Sequence, residues 1–147
     1  MLKVFSSALF GVAMMTAATA HAELRLSDAW LRAVPPVSPS MAGYVVATNT
    51  GDTPVVITGA HSDIAGHVML HDMSMQEDGT RKMRHLHQLE VPAGGSVSFA
   101  PGGMHLMLMH LDRVPGEGES VSICLEQEGK SPVCSKFRVA RSSPFGH

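Results

Sequence analysis

Glycine and proline interrupt this chain at short, fairly even intervals, with 14 glycines and 9 prolines among 147 residues. Between them lie short apolar or β-branched runs, such as AWLRAV before Pro35-Pro36 and SVSFA shortly before Pro101. After residue 22, no segment keeps the 3.6-residue apolar period of a helix over three turns. Many short strands separated by Gly/Pro turns predict an all-β protein, an antiparallel β-sandwich or barrel.

Three pairs of these runs carry the signal of a β-hairpin. GYVVATNTGDTPVVIT has β-branched runs on both sides of Asn49-Thr50-Gly51-Asp52, and HVMLHDMSM and RKMRHLHQLEV flank Glu77-Asp78-Gly79. In the third pair, Cys124 and Cys134 lie symmetrically about Gly129. Residues directly opposed in antiparallel strands come within bridging range, so we expect a structural disulfide here.

The first 22 residues have the pattern of an export signal. Lys3 precedes an apolar run, and small residues then offer cleavage after Ala20 or Ala22. The run is short for a membrane span, and no second long apolar run follows. We therefore expect a signal peptide over residues 1–22, a periplasmic protein without a membrane span after cleavage, and one β domain over residues 23–147 with a flexible tail from residue 140.

Charge and cysteine usage exclude several classes of function. Without Lys3 the chain has 10 Lys and Arg against 13 Asp and Glu, a balance of −3 that does not suit nucleic-acid binding. The two cysteines do not form a C-x-x-C motif, which argues against a disulfide oxidoreductase. No Ser/His/Asp or paired-carboxylate arrangement stands out, so we expect a protein that is not an enzyme.

Histidine and methionine are concentrated in one part of the chain. Residues 67–110 hold six of the eight histidines and seven of the eight methionines that remain after cleavage at Ala22. Within MHLMLMHL, strand alternation points His105, Met107 and Met109 to one face of the strand. The opposite face carries Met104, Leu106, Leu108 and His110. The spacing places an imidazole and a thioether side by side.

Imidazole and thioether donors suit a soft, monovalent copper ion and serve hard cations poorly. A thioether carries no proton, so it binds without proton release, and it survives mild oxidation outside the cytoplasm. A second such pair consists of His71 and Met83. In the predicted hairpin, Met83 lies within about one diagonal neighbour of the residue opposite His71. The sequence predicts that His71, Met83, His105 and Met107 converge as a two-nitrogen, two-sulfur Cu(I) site.

Other residues in the region leave alternatives open. Seven residues could be rim residues of the site, secondary copper contacts or solvated side chains: Met69, Met73, Met75, Met109, His67, His85 and His87. Core or surface roles are expected for Met41, Met104, His61, His110 and His147, and core positions for Trp30 and Tyr44. The basic residues Arg81, Lys82 and Arg84 form either a solvated face or a docking site for an acidic partner.

Written out, the chosen residues are His71, eleven residues, Met83, twenty-one residues, and then His105-Leu106-Met107. This set resembles the signature of the PCuAC family of periplasmic copper chaperones. DAWLRAVPP, AGYVVATNTGD, MLHDM, GTRKMR and VPAGGSVSFAPGGMHLMLMHL also resemble that family in order. The resemblance covers residues from about 24 to 139, nearly the whole chain after the signal.

The resemblance implies a cupredoxin-like β-sandwich or barrel that holds Cu(I) through the four residues. It further implies delivery of copper to a partner for the copper centres of cytochrome c oxidase, often alongside a Sco-type thiol protein. We expect the protein to be a monomer. A periplasmic protein that buffers excess copper through the same site is the alternative. A blue-copper centre needs a cysteine followed closely by histidine and methionine, and only His147 follows Cys134.

Overall fold

Ten β-strands make up the regular structure of this computed structural model, which describes residues 23–146. The predicted signal peptide, residues 1–22, lies outside the described residues. No helix in the described part of the chain is long and apolar enough to cross a membrane. The strands are β1 (Leu24–Arg32), β2 (Ser40–Asn49), β3 (Val55–His61), β4 (Ala65–Met75), β5 (Arg81–Leu86), β6 (Leu89–Val91), β7 (Ser96–Phe99), β8 (His105–Leu111), β9 (Ser120–Gln127) and β10 (Lys130–Ala140).

Seven of these strands close into a barrel in the order β4-β8-β2-β1-β10-β9-β3, and β3 returns to β4 through the pair Ala60↔Val68. β5 extends the sheet beyond β4, while β6 pairs with β3 and β7 with β2. β1 and β10 are parallel and the other pairs antiparallel. A closed ring with an odd number of strands requires a parallel pair, so the all-β prediction is confirmed with this one departure from antiparallel order.

The barrel interior is filled by inward-facing side chains of all seven strands. Trp30 and Tyr44 are buried as predicted, with ring centroids 4.7 Å apart, but they lie outside the interior cluster. They alternate with the inward-facing Leu31 and Gly43, and the guanidinium of Arg32 lies over both rings, 5.9 and 5.8 Å from their centroids. Aliphatic residues and phenylalanines occupy the interior. The most completely buried of them include Leu31, Met41, Ile57, Leu70, Leu106, Leu108, Ile123, Leu125 and Phe137.

The predicted hairpin between β2 and β3 is wrong. Both strands form, but they lie on opposite sides of the barrel and do not pair. The cause is Asn49, whose buried side chain accepts a hydrogen bond from the Gly51 amide (3.0 Å) and donates to the carbonyls of Thr53 (2.7 Å) and Val91 (3.1 Å). These bonds tie the connection to β6, so the chain crosses the end of the barrel.

The other two predicted hairpins are present. β4 and β5 pair through residues 70–75 and 81–86, and β9 and β10 pair with Cys124 directly opposite Cys134. The two cysteines form a disulfide, and the described residues contain no free cysteine. Because a disulfide between neighbouring strands fixes their register, it stabilises the closing hairpin of the barrel.

Candidate metal site on β4, β5 and β8

Strands β4 and β8 each present leucines to the barrel interior and histidine and methionine side chains to the outside. Leu70 and Leu106 are a register pair in the core, almost fully buried. The residues next to them, His71, His105 and Met107, therefore point to the outer face, because side chains alternate along a strand. The alternation predicted for this part of β8 is present, and the same alternation in β4 brings the two strands' donors to one surface.

The pairing of β4 with β8 sets two histidines and two methionines in adjacent rows. His71 is the register partner of His105, and Met69 is the partner of Met107. The ring centroids of His71 and His105 are 5.5 Å apart, with the planes nearly perpendicular at 89°. Met107 thus lies one diagonal step from His71, within reach of a long side chain.

The pairing of β4 with β5 adds donors on the other side of His71. His85 is the register partner of His71, with ring centroids 5.9 Å apart, and Met83 is the partner of Met73. Met83 lies one diagonal step from His71 and is 48% exposed, an unusual degree for a large apolar side chain. All four predicted ligands therefore share the outer face of three adjacent strands.

Met83 and Met107 lie on opposite sides of His71 along the strand direction. Their register partners on β4 are Met73 for Met83 and Met69 for Met107. These two partners are four residues apart, roughly 13 Å in an untwisted sheet. The guanidinium of Arg81 reaches the loop before β8, where its Nη1 lies 3.7 Å from the position that a Cβ on Gly102 would occupy. A common ion above His71 would require the exposed Met83 side chain, which has three rotatable bonds, to turn inward.

The ring of His105 is oriented by its own loop. Its Nδ1 lies 3.0 Å from the carbonyl oxygen of Gly103, and because a carbonyl can only accept, Nδ1 carries the proton. The neutral ring therefore keeps a lone pair on Nε2. A backbone carbonyl that fixes the tautomer in this way is the usual partner of a metal-binding histidine.

His71 has the opposite situation, because its Nδ1 is buried and has no hydrogen-bond partner among the described residues. A buried polar atom without a partner costs about 1–3 kcal/mol. A metal ion bound to this nitrogen would supply the missing interaction. Within residues 23–146 no group of three or more His, Cys, Asp or Glu side chains is arranged to hold a metal ion. The neighbours that could complete a site with His71 and His105 therefore include the thioethers of Met83 and Met107.

Burial lowers the pKa of His71 below the ordinary histidine value, and the neighbouring His105 and His85 lower it further. The neutral imidazole is the form that binds metal. His71 therefore stays competent to bind at mildly acidic pH values at which an ordinary histidine is partly protonated.

The same shift gives a prediction for the protein without metal. Above about pH 6.5 His71 is neutral in both the folded and the unfolded chain. Below that pH the unfolded chain takes up a proton first, so the free energy of unfolding falls until the pH passes the lower pKa of the folded state. We expect His71→Gln to reduce the loss of stability between pH 7.5 and pH 5, measured by urea unfolding. The variant His87→Gln, which removes an exposed imidazole, is the control, and an identical pH dependence of wild type and His71→Gln would contradict the assignment.

His85 was not among the four predicted ligands, although it lies directly opposite His71. The hairpin turn is closed by the Gln76 amide, which donates to the Thr80 carbonyl (2.8 Å), so the pairing is symmetrical about Asp78. Counting outward from Asp78 pairs residue 71 with residue 85. The turn sequence thus contained the signal that identifies His85 as the nearest neighbour on β5.

The fold and this surface together define a cupredoxin-like β-barrel domain of the PCuAC kind. The copper(I)-bound DR1885 protein of Deinococcus radiodurans is similar, with 29% identity, a TM-score of 0.64, and coverage of 90% of this chain and 86% of that protein. The copper-bound PCuAC domain of PmoF2 has the same fold, with 22% identity, a TM-score of 0.65, and coverage of 84% of this chain and 99% of that domain.

Sequence comparison gives the family. The model of the family described as "Putative lipoprotein LpqE-like" matches residues 24–139, so the chain belongs to the LpqE-like family. A "Putative lipoprotein" of Leifsonia xyli subsp. xyli (strain CTCB07) is 31% identical over 103 residues. That match covers 69% of this chain and 60% of the relative, so the chain spans less than two thirds of the relative's length.

These comparisons confirm the predicted resemblance to the PCuAC family and the cupredoxin-like fold. They also confirm the prediction that the chain is not an enzyme, because the solved structures that it resembles over most of its length are PCuAC domains and the DR1885 protein.

Proposed function

We propose that this protein is a periplasmic copper chaperone that binds one Cu(I) through His71, Met83, His105 and Met107. The observation that carries the proposal is the outer face of β4, β5 and β8. His71, which has a buried nitrogen without a partner, is there the register partner of His105, and Met83 and Met107 lie diagonally from it on opposite sides. Two imidazoles and two thioethers are neutral donors of the soft type that Cu(I) prefers.

The comparisons support copper as the ion. The structure of the DR1885 protein has been solved in a copper(I) form, and the similarity to that protein covers 90% of this chain. The LpqE-like family and the Leifsonia relative both carry lipoprotein names, which supports an exported protein. The predicted signal over residues 1–22 supports a periplasmic location.

Transfer to a partner requires ligands that a partner can reach. Met83 is on the β4–β5 hairpin, and β5 pairs only with β4 among the described strands, so the hairpin projects from the barrel. Neutral donors leave the bound ion with a single positive charge, which permits stepwise ligand exchange with an acceptor. We propose the copper centres of cytochrome c oxidase as the destination, either directly or through a Sco-type thiol protein.

The test is a transfer assay under reducing, anaerobic conditions. The Cu(I)-loaded protein is mixed with the metal-free copper domain of an oxidase subunit or with a reduced Sco-type protein, and the acceptor is separated and its copper measured. We expect the acceptor to be loaded faster than by release of copper into solution. Retention of the ion in the presence of both acceptors would contradict the chaperone function and indicate copper buffering.

The basic residues of β5 give a separate prediction for transfer. The side chains of Arg81, Lys82 and Arg84 are exposed next to Met83, where they can attract an acidic acceptor. We expect replacement of all three by glutamine to slow transfer at low ionic strength by about tenfold, an effect that salt removes. The affinity for Cu(I) is expected to remain unchanged.

The matched control replaces Arg25, Lys136 and Arg138 by glutamine, since these side chains are exposed on β1 and β10, away from the candidate site. It changes the net charge equally. Equal transfer rates for the two triple variants would remove the docking role of β5.

A further inference from the structure

A second group of metal-binding side chains lies at the other end of the same outer face. His67 on β4 is the register partner of Met109 on β8, so the two side chains are direct neighbours. The ring of His110 is also close, with its centroid 5.4 Å from that of His67 and the planes at 73°. Two imidazoles and one thioether thus meet two rows away from His71.

His110 reaches this position through an unusual backbone. Strand alternation predicts that its side chain points inward with Leu108, but it is exposed. Its φ is +52°, a left-handed conformation that residues other than glycine adopt in only a few per cent of cases. The chain departs from regular β-structure at this one residue of β8, and the departure places the His110 ring beside His67.

The residue opposite His110 is a glycine, and the space it leaves is used. A Cβ on Gly66 would lie 3.1 Å from the Cβ of His110, closer than an ordinary van der Waals contact. A side chain at position 66 would require His110 to shift by a few tenths of an ångström, so the glycine permits the close approach of β4 and β8 at this row.

A cavity of about 340 Å³ lies where β3 and β4 separate, and His67 is the residue of this group that lines it. Met69 and His85 also line the cavity. Met109 and His110 lie on β8, on the other side of β4, where Met109 is partly exposed and His110 exposed. The register pair Met69 and Met107 separates this group from the pair formed by His71 and His105.

We propose that His67, Met109 and His110 form a second Cu(I) site, of lower affinity than the first. The donor set has one thioether and two nitrogens and is neutral, so it selects the same soft, monovalent ion. With three donors in place of four, it binds the ion less tightly. The inference extends the proposed function, because a protein with both sites carries two copper ions.

The test measures the stoichiometry of Cu(I) binding under anaerobic conditions. The protein competes for Cu(I) with a chelator that is colourless when free and coloured when it binds Cu(I). We expect the wild-type protein to bind two equivalents, the second at least about tenfold more weakly than the first. The double variant His67→Gln/His110→Asn is expected to bind one equivalent at wild-type strength. Asparagine tolerates a left-handed backbone, so this variant retains the β8 conformation, which its circular dichroism spectrum will verify.

Two further proteins separate this inference from the proposed function. The variant Met83→Leu/Met107→Leu is expected to lose the tight equivalent and keep the weak one. The variant His87→Gln, which removes an exposed imidazole outside the proposed site and outside the cavity, is expected to keep both. A single equivalent in the wild type, or two equivalents in His67→Gln/His110→Asn, would overturn the second site without affecting the first.

Discussion

Replacing Met83 or Met107 by leucine is expected to weaken Cu(I) binding by at least about 100-fold, or about 2.8 kcal/mol at 25 °C. Each replacement removes a thioether donor. Leucine has a similar volume and no polar atoms, so the change costs little in packing. Met83 is exposed and Met107 lies on the outer face, so neither holds the core together. The measurement is an anaerobic competition titration, with the unfolding midpoint recorded to show that the fold is intact.

Met75→Leu is the matched control, because Met75 is on the same β4–β5 hairpin and is 63% exposed. Its affinity for Cu(I) is expected to stay within about twofold of the wild type, a difference of roughly 0.4 kcal/mol. Wild-type affinity in both Met83→Leu and Met107→Leu would reject the ligand assignment.

Replacing Leu106 by alanine is expected to have the opposite effect, although Leu106 is next to Met107 in the chain. Leu106 is fully buried and packs in register with Leu70. Removing most of its side chain leaves a cavity in the barrel and lowers the free energy of unfolding by about 2–5 kcal/mol. Denaturant unfolding measures the change. At a temperature where the variant is folded, its Cu(I) affinity is expected to remain close to the wild-type value.

Met107→Ala provides the comparison within the same strand. The Met107 side chain is only partly buried on the outer face, so we expect a loss of stability below that of Leu106→Ala and a large loss of Cu(I) affinity. If Leu106→Ala weakens copper binding as much as Met107→Ala does, the separation of β8 into a core face and a metal face is wrong.

The local features of the fold were predictable from the sequence because they depend on nearby residues. Turn residues separate the strands, and the symmetry of Cys124 and Cys134 about Gly129 gave the register of the last hairpin. The long-range pairings were not predictable in the same way. The hairpin predicted at Asn49 fails because its buried amide side chain binds the carbonyl of Val91, forty-two residues away in sequence. No periodicity in either segment reports that contact.

In the candidate site, too, features set by strand alternation were predictable from the sequence, and features set by loop or backbone conformation were not. Parity along β8 correctly placed His105 and Met107 opposite the core leucines. The hydrogen bond from His105 to the Gly103 carbonyl depends on loop conformation, which residue types alone do not specify. The exposed orientation of His110 follows from a single left-handed residue, and simple alternation misses such a change.

X-ray absorption spectroscopy of the reduced protein loaded with one equivalent of copper tests the central claim most directly. If His71, Met83, His105 and Met107 bind one Cu(I), the spectrum will show two sulfur and two nitrogen scatterers. Met83→Leu and Met107→Leu will each remove one sulfur. A shell of oxygen atoms alone, or an unchanged sulfur contribution in both variants, would contradict the common site.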